Sequence, residues 1–124
     1  KKNITILIEP LNHFDAPDYY ISKLEKAFHI IEKVNSPNLK IMFDCYHIQL
    51  IQGNLFQSIK KYLDYIGHIQ IASVPYRNEP DMGEVNFREL LRMILDIGYE
   101  GYFGAEYNPL KTTNDGLGWM KSIL

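Results

Sequence analysis

Four residues with side-chain oxygens, Glu9, Asp44, Gln70 and Glu106, each close a short apolar run: ITILIEP, LKIMFD, GHIQIA and GYFGAE. Two glutamates, an aspartate and a carboxamide are all oxygen donors, with no thiolate and no clear imidazole among them. Such a set favours a hard divalent cation, Mg²⁺ or Mn²⁺, over a structural zinc. If the runs are successive parallel strands, their donors meet around one point at the strand ends. Four protein oxygens plus two from a substrate would complete an octahedron.

Other reactive side chains lie close to this set. His47 follows Asp44 by three residues and sits at the expected mouth, where it could touch substrate or orient a ligand. His68 precedes Gln70 by two and is expected to point inward one layer below. Arg77 and Glu79 lie in the Pro-flanked segment PYRNEP after the third run, and Arg77 suits an anionic group of a substrate. Cys45 adjoins Asp44, but no local feature lowers its pKa, so a buried, inert thiol is expected. His13 and His29 receive no function.

The elements that must position these residues alternate strand, helix, strand, helix through four units. A helical stripe runs through Tyr20, Leu24, Ala27, Phe28, Ile31 and Val34, with Pro17 near its start and Pro37 as its break. A second stripe holds Leu55, Ile59, Tyr62, Leu63 and Ile66 and ends at Gly67. Asn86, three residues before Glu89, predicts a capped third helix with Phe87, Leu90, Leu91 and Ile94 inward and Gly98 as its stop. The segment from Thr112 to Leu124 predicts a loop and a short helix carrying Trp119, Met120 and Ile123.

Strict alternation implies an α/β fold with parallel strands. Side chains alternate along a strand, which sorts each run into two faces. Ile4, Ile6 and Ile8 oppose Thr5, Leu7 and Glu9; Ile41 and Phe43 oppose Met42 and Asp44; Ile69 and Ile71 oppose His68 and Gln70; Phe103 and Ala105 oppose Gly104 and Glu106. One purely apolar face and one mixed face carrying the donors suit a (β/α)₈ TIM barrel, whose lumen takes the mixed face. Four units are about half of the roughly 250 residues usual for that fold. Together with the abrupt start Lys1-Lys2-Asn3, this predicts that residues 1–124 are the carboxyl-terminal half of a barrel, a fragment.

Composition excludes several classes. The chain has 124 residues, is 46% hydrophobic and carries a net charge of −2, enough for one globular unit with a core. No basic cluster suggests nucleic acid, and Lys60-Lys61 reads as a solvated helix face. No apolar run nears the roughly 20 residues that span a bilayer, and no signal-peptide pattern opens the chain. The single cysteine precludes an internal disulfide and suits a reducing compartment, so a cytoplasmic location is expected. A small-molecule partner is expected, with no nucleic acid and no membrane; a homo-oligomer is left open.

The motifs IEPLN at 8–12, FDCYH at 43–47, GHIQIA at 67–72, VPYRNEP at 74–80, GEVNF at 83–87, IGYEGYFGAEYNP at 97–109 and GLGWM at 116–120 together resemble the hydroxypyruvate isomerase family. That family belongs to the xylose-isomerase-like group of TIM barrels, and the resemblance falls on its carboxyl-terminal half. It implies interconversion of hydroxypyruvate and tartronate semialdehyde through an enediolate. It also implies that Glu9, Asp44, Gln70 and Glu106 hold Mg²⁺ or Mn²⁺, and that Glu9 and Glu106 carry the proton. Arg77 is assigned to the substrate carboxylate by chemistry and position. Some family members have an acid where this chain has Ser73-Val74, which bears on substrate contacts. The rivals are a ketose 3-epimerase, an inosose dehydratase or an endonuclease IV-type enzyme of the same group. A truncated, non-catalytic barrel serving as a binding or assembly module is the rival of a different class.

Overall fold

The four oxygen-terminated runs are strands of one parallel sheet. In this computed structural model, which describes residues 4–123, β1 (Ile6–Ile8), β2 (Leu39–Asp44), β3 (Ile66–Ile71) and β4 (Phe103–Ala105) lie side by side in sequence order. Every neighbouring pair is parallel, so each connection must cross over, and each crossover is helical. Helix α1 (Leu24–Val34) follows β1. After β2 come α2 (Cys45–Ile51), α3 (Leu55–Tyr62) and a 3₁₀ turn at Leu63–Tyr65. Helix α4 (Phe87–Asp96) follows β3, and α5 (Thr113–Gly116) and α6 (Trp119–Ile123) follow β4. The Lys1-Lys2-Asn3 start and Leu124 lie outside the described residues.

The two faces of β2 and β3 differ as strand parity requires, whereas on the edge strands Ile6 and Ala105 of the expected apolar face, and Ile4 just before β1, are exposed. Ile41, Phe43 and Ile69 are fully buried and meet Leu24, Ala27 and Ile31 of α1, Ile59 of α3 and Ile94 of α4 in one core. Each such side chain contributes about 1.5–3 kcal/mol by leaving water. The opposite face carries Lys40, Met42, His68 and Gln70, all partly exposed, with Asp44 buried at its end. Helices therefore cover one side of the sheet and a mixed face lines the other, as in half of a (β/α)₈ barrel.

Register brings the four donors to one level. Ile8 pairs with Ile41, which sets Asp44 two residues beyond the partner position of Glu9. Asp44 pairs with Gln70, and Gln70 pairs with Gly104, two residues before Glu106. The donors thus climb along the strands at the first and third steps, near the average of about one residue per strand that barrel tilt imposes. A bulge makes this possible. Ile41 pairs with Ile66 but Met42 pairs with His68, so Gly67 is an extra residue. Without it, His68 and Gln70 would fall on the helix-covered face. A Cβ at Gly67 would collide with the side chains of Leu7 and Lys40, so only glycine fits there.

Several boundaries differ from those the sequence pattern predicts. Helix α1 starts at Leu24, because residues 9–23 form a long loop in which Asp18 takes a left-handed conformation (φ 67°). Tyr20, in that loop, is consequently exposed; Val34 is exposed at the last position of the helix, and the buried stripe reduces to Leu24, Ala27 and Ile31. Gly67 lies inside β3 and ends no helix. Helix α2 begins directly after Asp44, which caps it by accepting the Tyr46 N–H at 2.8 Å. Asn86 caps α4 through the Glu89 N–H, but the Glu89 carboxylate turns to Arg92, leaving half a capping box. Met120 is exposed, whereas Trp119 and Ile123 are buried. Among the described residues no helix is long and apolar enough to cross a membrane.

Adjacent positions on α4 test this packing. Ile94 is fully buried and Leu95 is 54% exposed. Ile94→Ala should cost about 2–5 kcal/mol and Leu95→Ala no more than about 0.5 kcal/mol, measured by urea unfolding. Equal losses would place the core elsewhere.

Candidate active site

The strand ends and the loops after them gather the candidate residues at the carboxyl-terminal end of the sheet. Asp44, the last residue of β2, is almost wholly buried; its Oδ1 is used by the α2 cap, leaving Oδ2 toward the cluster. His47, one turn into α2, is also buried and places Nε2 3.7 Å from Asp44 Oδ2 and 3.9 Å from Glu9 Oε1. Glu9, just beyond β1, and Gln70, within β3, both keep a buried side-chain oxygen, Oε1, with no hydrogen-bond partner among the described residues. Arg77 Nη2 lies 2.6 Å from Glu106 Oε2 and 3.4 Å from Asp44 Oδ2, so it ties the second and fourth strand ends together.

Arg77 reaches this position because its loop is pinned on both sides. Its N–H donates to Ser73 O, Asn78 donates to Ser73 Oγ, and Arg77 O accepts the Asn108 N–H at 2.7 Å. Its backbone is left-handed at φ 56°, uncommon for a residue with a side chain. The guanidinium stacks over the Tyr46 ring, 4.9 Å from its centroid. Only Nη2 engages the carboxylates, which leaves further N–H donors on a five-donor group. Glu79, from the same loop, is buried and accepts the Leu110 N–H, a link between loops. His68 lies deeper in the lumen, where the missing side chain of Gly104 leaves it room. Cys45 is fully buried and burial pushes its thiol well above the usual range, consistent with an inert residue.

Crowding of acids shapes the electrostatics. Burial, then the charges of Asp44 and Glu106, push Glu9 up to about 7, against the pull of Arg77. Burial raises Asp44 to about 6, opposed by its bond from the Tyr46 backbone and by Arg77. Burial and then Arg77 hold His47 down to about 4, so its ring is neutral at pH 7 and its approaches to the acids are not ion pairs.

One ligand atom each from Glu9, Asp44 and His47 lie within 4.8 Å of one another, a spacing that could hold a cation. The two unpartnered oxygens, on Glu9 and Gln70, fit the same purpose, since a buried acceptor left unmatched is costly. Glu106 stands apart from the trio in one respect: its side chain is 55% exposed and held by Arg77. The sequence pattern gave no site role to Asn12, Asp15 or Tyr46, which sit around His47 and Arg77. Asn12 is fully buried, and its only sequence signal is a polar pair, Asn12 and Asp15, in the loop after a strand-end glutamate.

Cation uptake should therefore be proton-coupled. Near pH 6 the metal-free site holds a proton on Glu9 and partly on Asp44, and binding must displace it; above about pH 8.5 almost none is left to displace. Mg²⁺ affinity should rise from pH 5.5 to about 8 and then level off. Calorimetry in two buffers of different ionisation heat should show proton release at the lower pH alone. A pH-independent affinity would contradict the site.

The same chain matches the family model described as "Xylose isomerase-like TIM barrel" over residues 1–123. It is 43% identical over 123 residues to the 2-oxo-tetronate isomerase of Cupriavidus necator, covering 99% of this chain and 47% of that protein. It is 43% identical over 120 residues to the hydroxypyruvate isomerase of Escherichia coli K12, covering 97% and 46% respectively. The crystal structure of a Brucella melitensis protein described as AP endonuclease, family 2, superposes with a TM-score of 0.92 at 42% identity, covering 96% of this chain and 46% of that one. The chain thus spans about half the length of the curated relatives it matches. On the family match over residues 1–123, the chain belongs to the xylose isomerase-like TIM barrel family.

Proposed function

We propose that this chain supplies the carboxyl-terminal half, and the metal-holding strand ends, of a cytoplasmic isomerase acting on short hydroxy-keto acids. Hydroxypyruvate, interconverted with 2-hydroxy-3-oxopropanoate (tartronate semialdehyde), is the favoured substrate. The observation that carries this reading is the pair of unpartnered buried oxygens, on Glu9 and Gln70, beside Asp44, with Glu9 itself holding its proton up to about pH 7. The names of the two relatives support the substrate class, one being a hydroxypyruvate isomerase and the other a 2-oxo-tetronate isomerase. The acid-rich cluster and a net charge of −2 favour a small substrate over the phosphate backbone of a nucleic acid.

The reaction moves the hydroxyl proton to the neighbouring ketone oxygen and one carbon-bound proton between the two carbons. A base removes the carbon-bound proton from the hydroxymethyl carbon of hydroxypyruvate, the electrons spread over both oxygens as an enediolate, and the proton returns to the former ketone carbon. Glu9, Asp44, Gln70 and Glu106 would hold Mg²⁺ or Mn²⁺, which when bound supplies a Lewis acid for the charge developing on the substrate oxygens. Glu9, at the first strand end, would carry the proton for one carbon, the role that the family resemblance implies for it. Glu106, across the sheet at the end of β4, is its counterpart for the second carbon. Arg77 would take the substrate carboxylate with its remaining donors while keeping Glu106 in place. His47 would hold a substrate oxygen at the mouth.

Incubating the full protein with hydroxypyruvate, 2-oxo-tetronate and ketohexoses, with and without Mg²⁺ or Mn²⁺, tests the proposal. Turnover of the hydroxy-keto acids should require the metal and exceed that of the sugars. Glu9→Gln and Glu106→Gln should each lower kcat by about 10²–10⁴-fold. Metal-independent turnover, or full activity in Glu106→Gln, would overturn the mechanism. Preference for ketohexoses would favour the epimerase alternative.

A further inference from the structure

The hydrogen bonds around Asn12 fix where the His47 proton sits. Asn12 Oδ1 accepts the backbone N–H groups of Phe14 and Asp15, both at 3.0 Å. Those two donors determine the orientation of the carboxamide, so Nδ2 must lie on the other side. There it stands 3.0 Å from Asp15 Oδ2 and 2.7 Å from His47 Nδ1. The Asn12 backbone N–H also reaches His47 Nδ1, at 3.2 Å. Both groups that face Nδ1 are donors with no lone pair to offer.

A neutral imidazole has one N–H and one acceptor nitrogen, and the partner of one nitrogen sets the state of the other. With two donors against it, Nδ1 must accept, which puts the ring proton on Nε2. That N–H faces Asp44 Oδ2 at 3.7 Å and Glu9 Oε1 at 3.9 Å, beyond hydrogen-bond length from either. It is therefore available to an oxygen placed between them. Ligation of a cation by Nε2 would need a lone pair there and a proton on Nδ1, aimed at two N–H groups. Burying such a donor–donor conflict is unfavourable.

We infer that Asn12, itself anchored by Asp15 and its own loop backbone, is a positioning residue that holds His47 as the Nε2–H tautomer, so that His47 donates a hydrogen bond to the substrate oxygen bearing the developing charge and does not ligate the cation. The geometric trio of Glu9, Asp44 and His47 thereby resolves into two ligands and one donor. No bond to His47 forms or breaks in this role, and its proton stays on Nε2. The catalytic half of the inference rests on the isomerase reading; the tautomer does not.

A long-range ¹H–¹⁵N correlation spectrum of the His47 ring in the full protein reads the tautomer directly. The expected result is protonated Nε2 and bare Nδ1, both without metal and with Mg²⁺. A proton on Nδ1, or loss of the Nε2 proton when Mg²⁺ binds, would overturn the inference. Asn12→Asp sets an acceptor against Nδ1 and should move the proton there, lowering kcat for hydroxypyruvate by about 10²–10³-fold, the loss usual for one oxyanion donor, with KM little changed. An unchanged tautomer in a folded Asn12→Asp protein would remove Asn12 from the role; if that variant does not fold, the wild-type spectra decide. Turnover by a wild-type protein with the opposite tautomer defeats this inference and leaves the isomerase reading standing. The expected tautomer in a protein that turns over no hydroxy-keto acid does the reverse.

Discussion

Repulsion among acids at one end of a sheet is the constraint on which the rest of this structure depends. Glu9, Asp44 and Glu106 converge there with one arginine among them, and two buried oxygens nearby have no partner among the described residues. A fold selected for stability alone would avoid such a cluster, because burial and like charge both oppose ionisation. The protein meets the cost by letting Glu9 and Asp44 hold protons more tightly and by placing Arg77 between strand ends. Those features are also what the proposed cation binding and proton transfer would require, so the cost of the resting site and the chemistry proposed for it would have a common origin.

Everything below the cluster serves to hold it in place. The apolar faces of β2 and β3 bury Ile41, Phe43, Ile69 and Ile71 under α1, α3 and α4, and this core fixes the strands that present Asp44 and Gln70. The bulge at Gly67 turns Gln70 to the correct side. The α2 cap uses one oxygen of Asp44 and directs the other toward Arg77 and His47. The loop carrying Arg77 is tied to Asn108, just beyond Glu106, so the loops after the third and fourth strands are joined.

Much of this was legible in the sequence because strands and helices impose periods on apolar residues. Parity alone separated Ile41 and Phe43 from Met42 and Asp44, and the four-unit parallel order followed from alternation. What escaped depends on irregular backbone. Asp18 breaks the expected start of α1 through a left-handed conformation that no periodicity announces. Gly67 reads as a helix stop, since a bulge residue and a terminating glycine look alike in sequence. Asn12 was invisible as a hub because its partners, His47 at one end and the Phe14 and Asp15 backbone at the other, meet only after the loop folds.

In the proposed site, oxygen atoms from four successive strand ends hold one hard cation. Anomalous diffraction at the manganese edge, from crystals of the full protein grown with Mn²⁺, tests it most directly. The account requires a single Mn²⁺ bonded to Glu9, Asp44, Gln70 and Glu106 at about 2.0–2.3 Å, with His47 outside the coordination shell. An ion bound through His47 Nε2, or manganese found only at sites away from these strand ends, would contradict it.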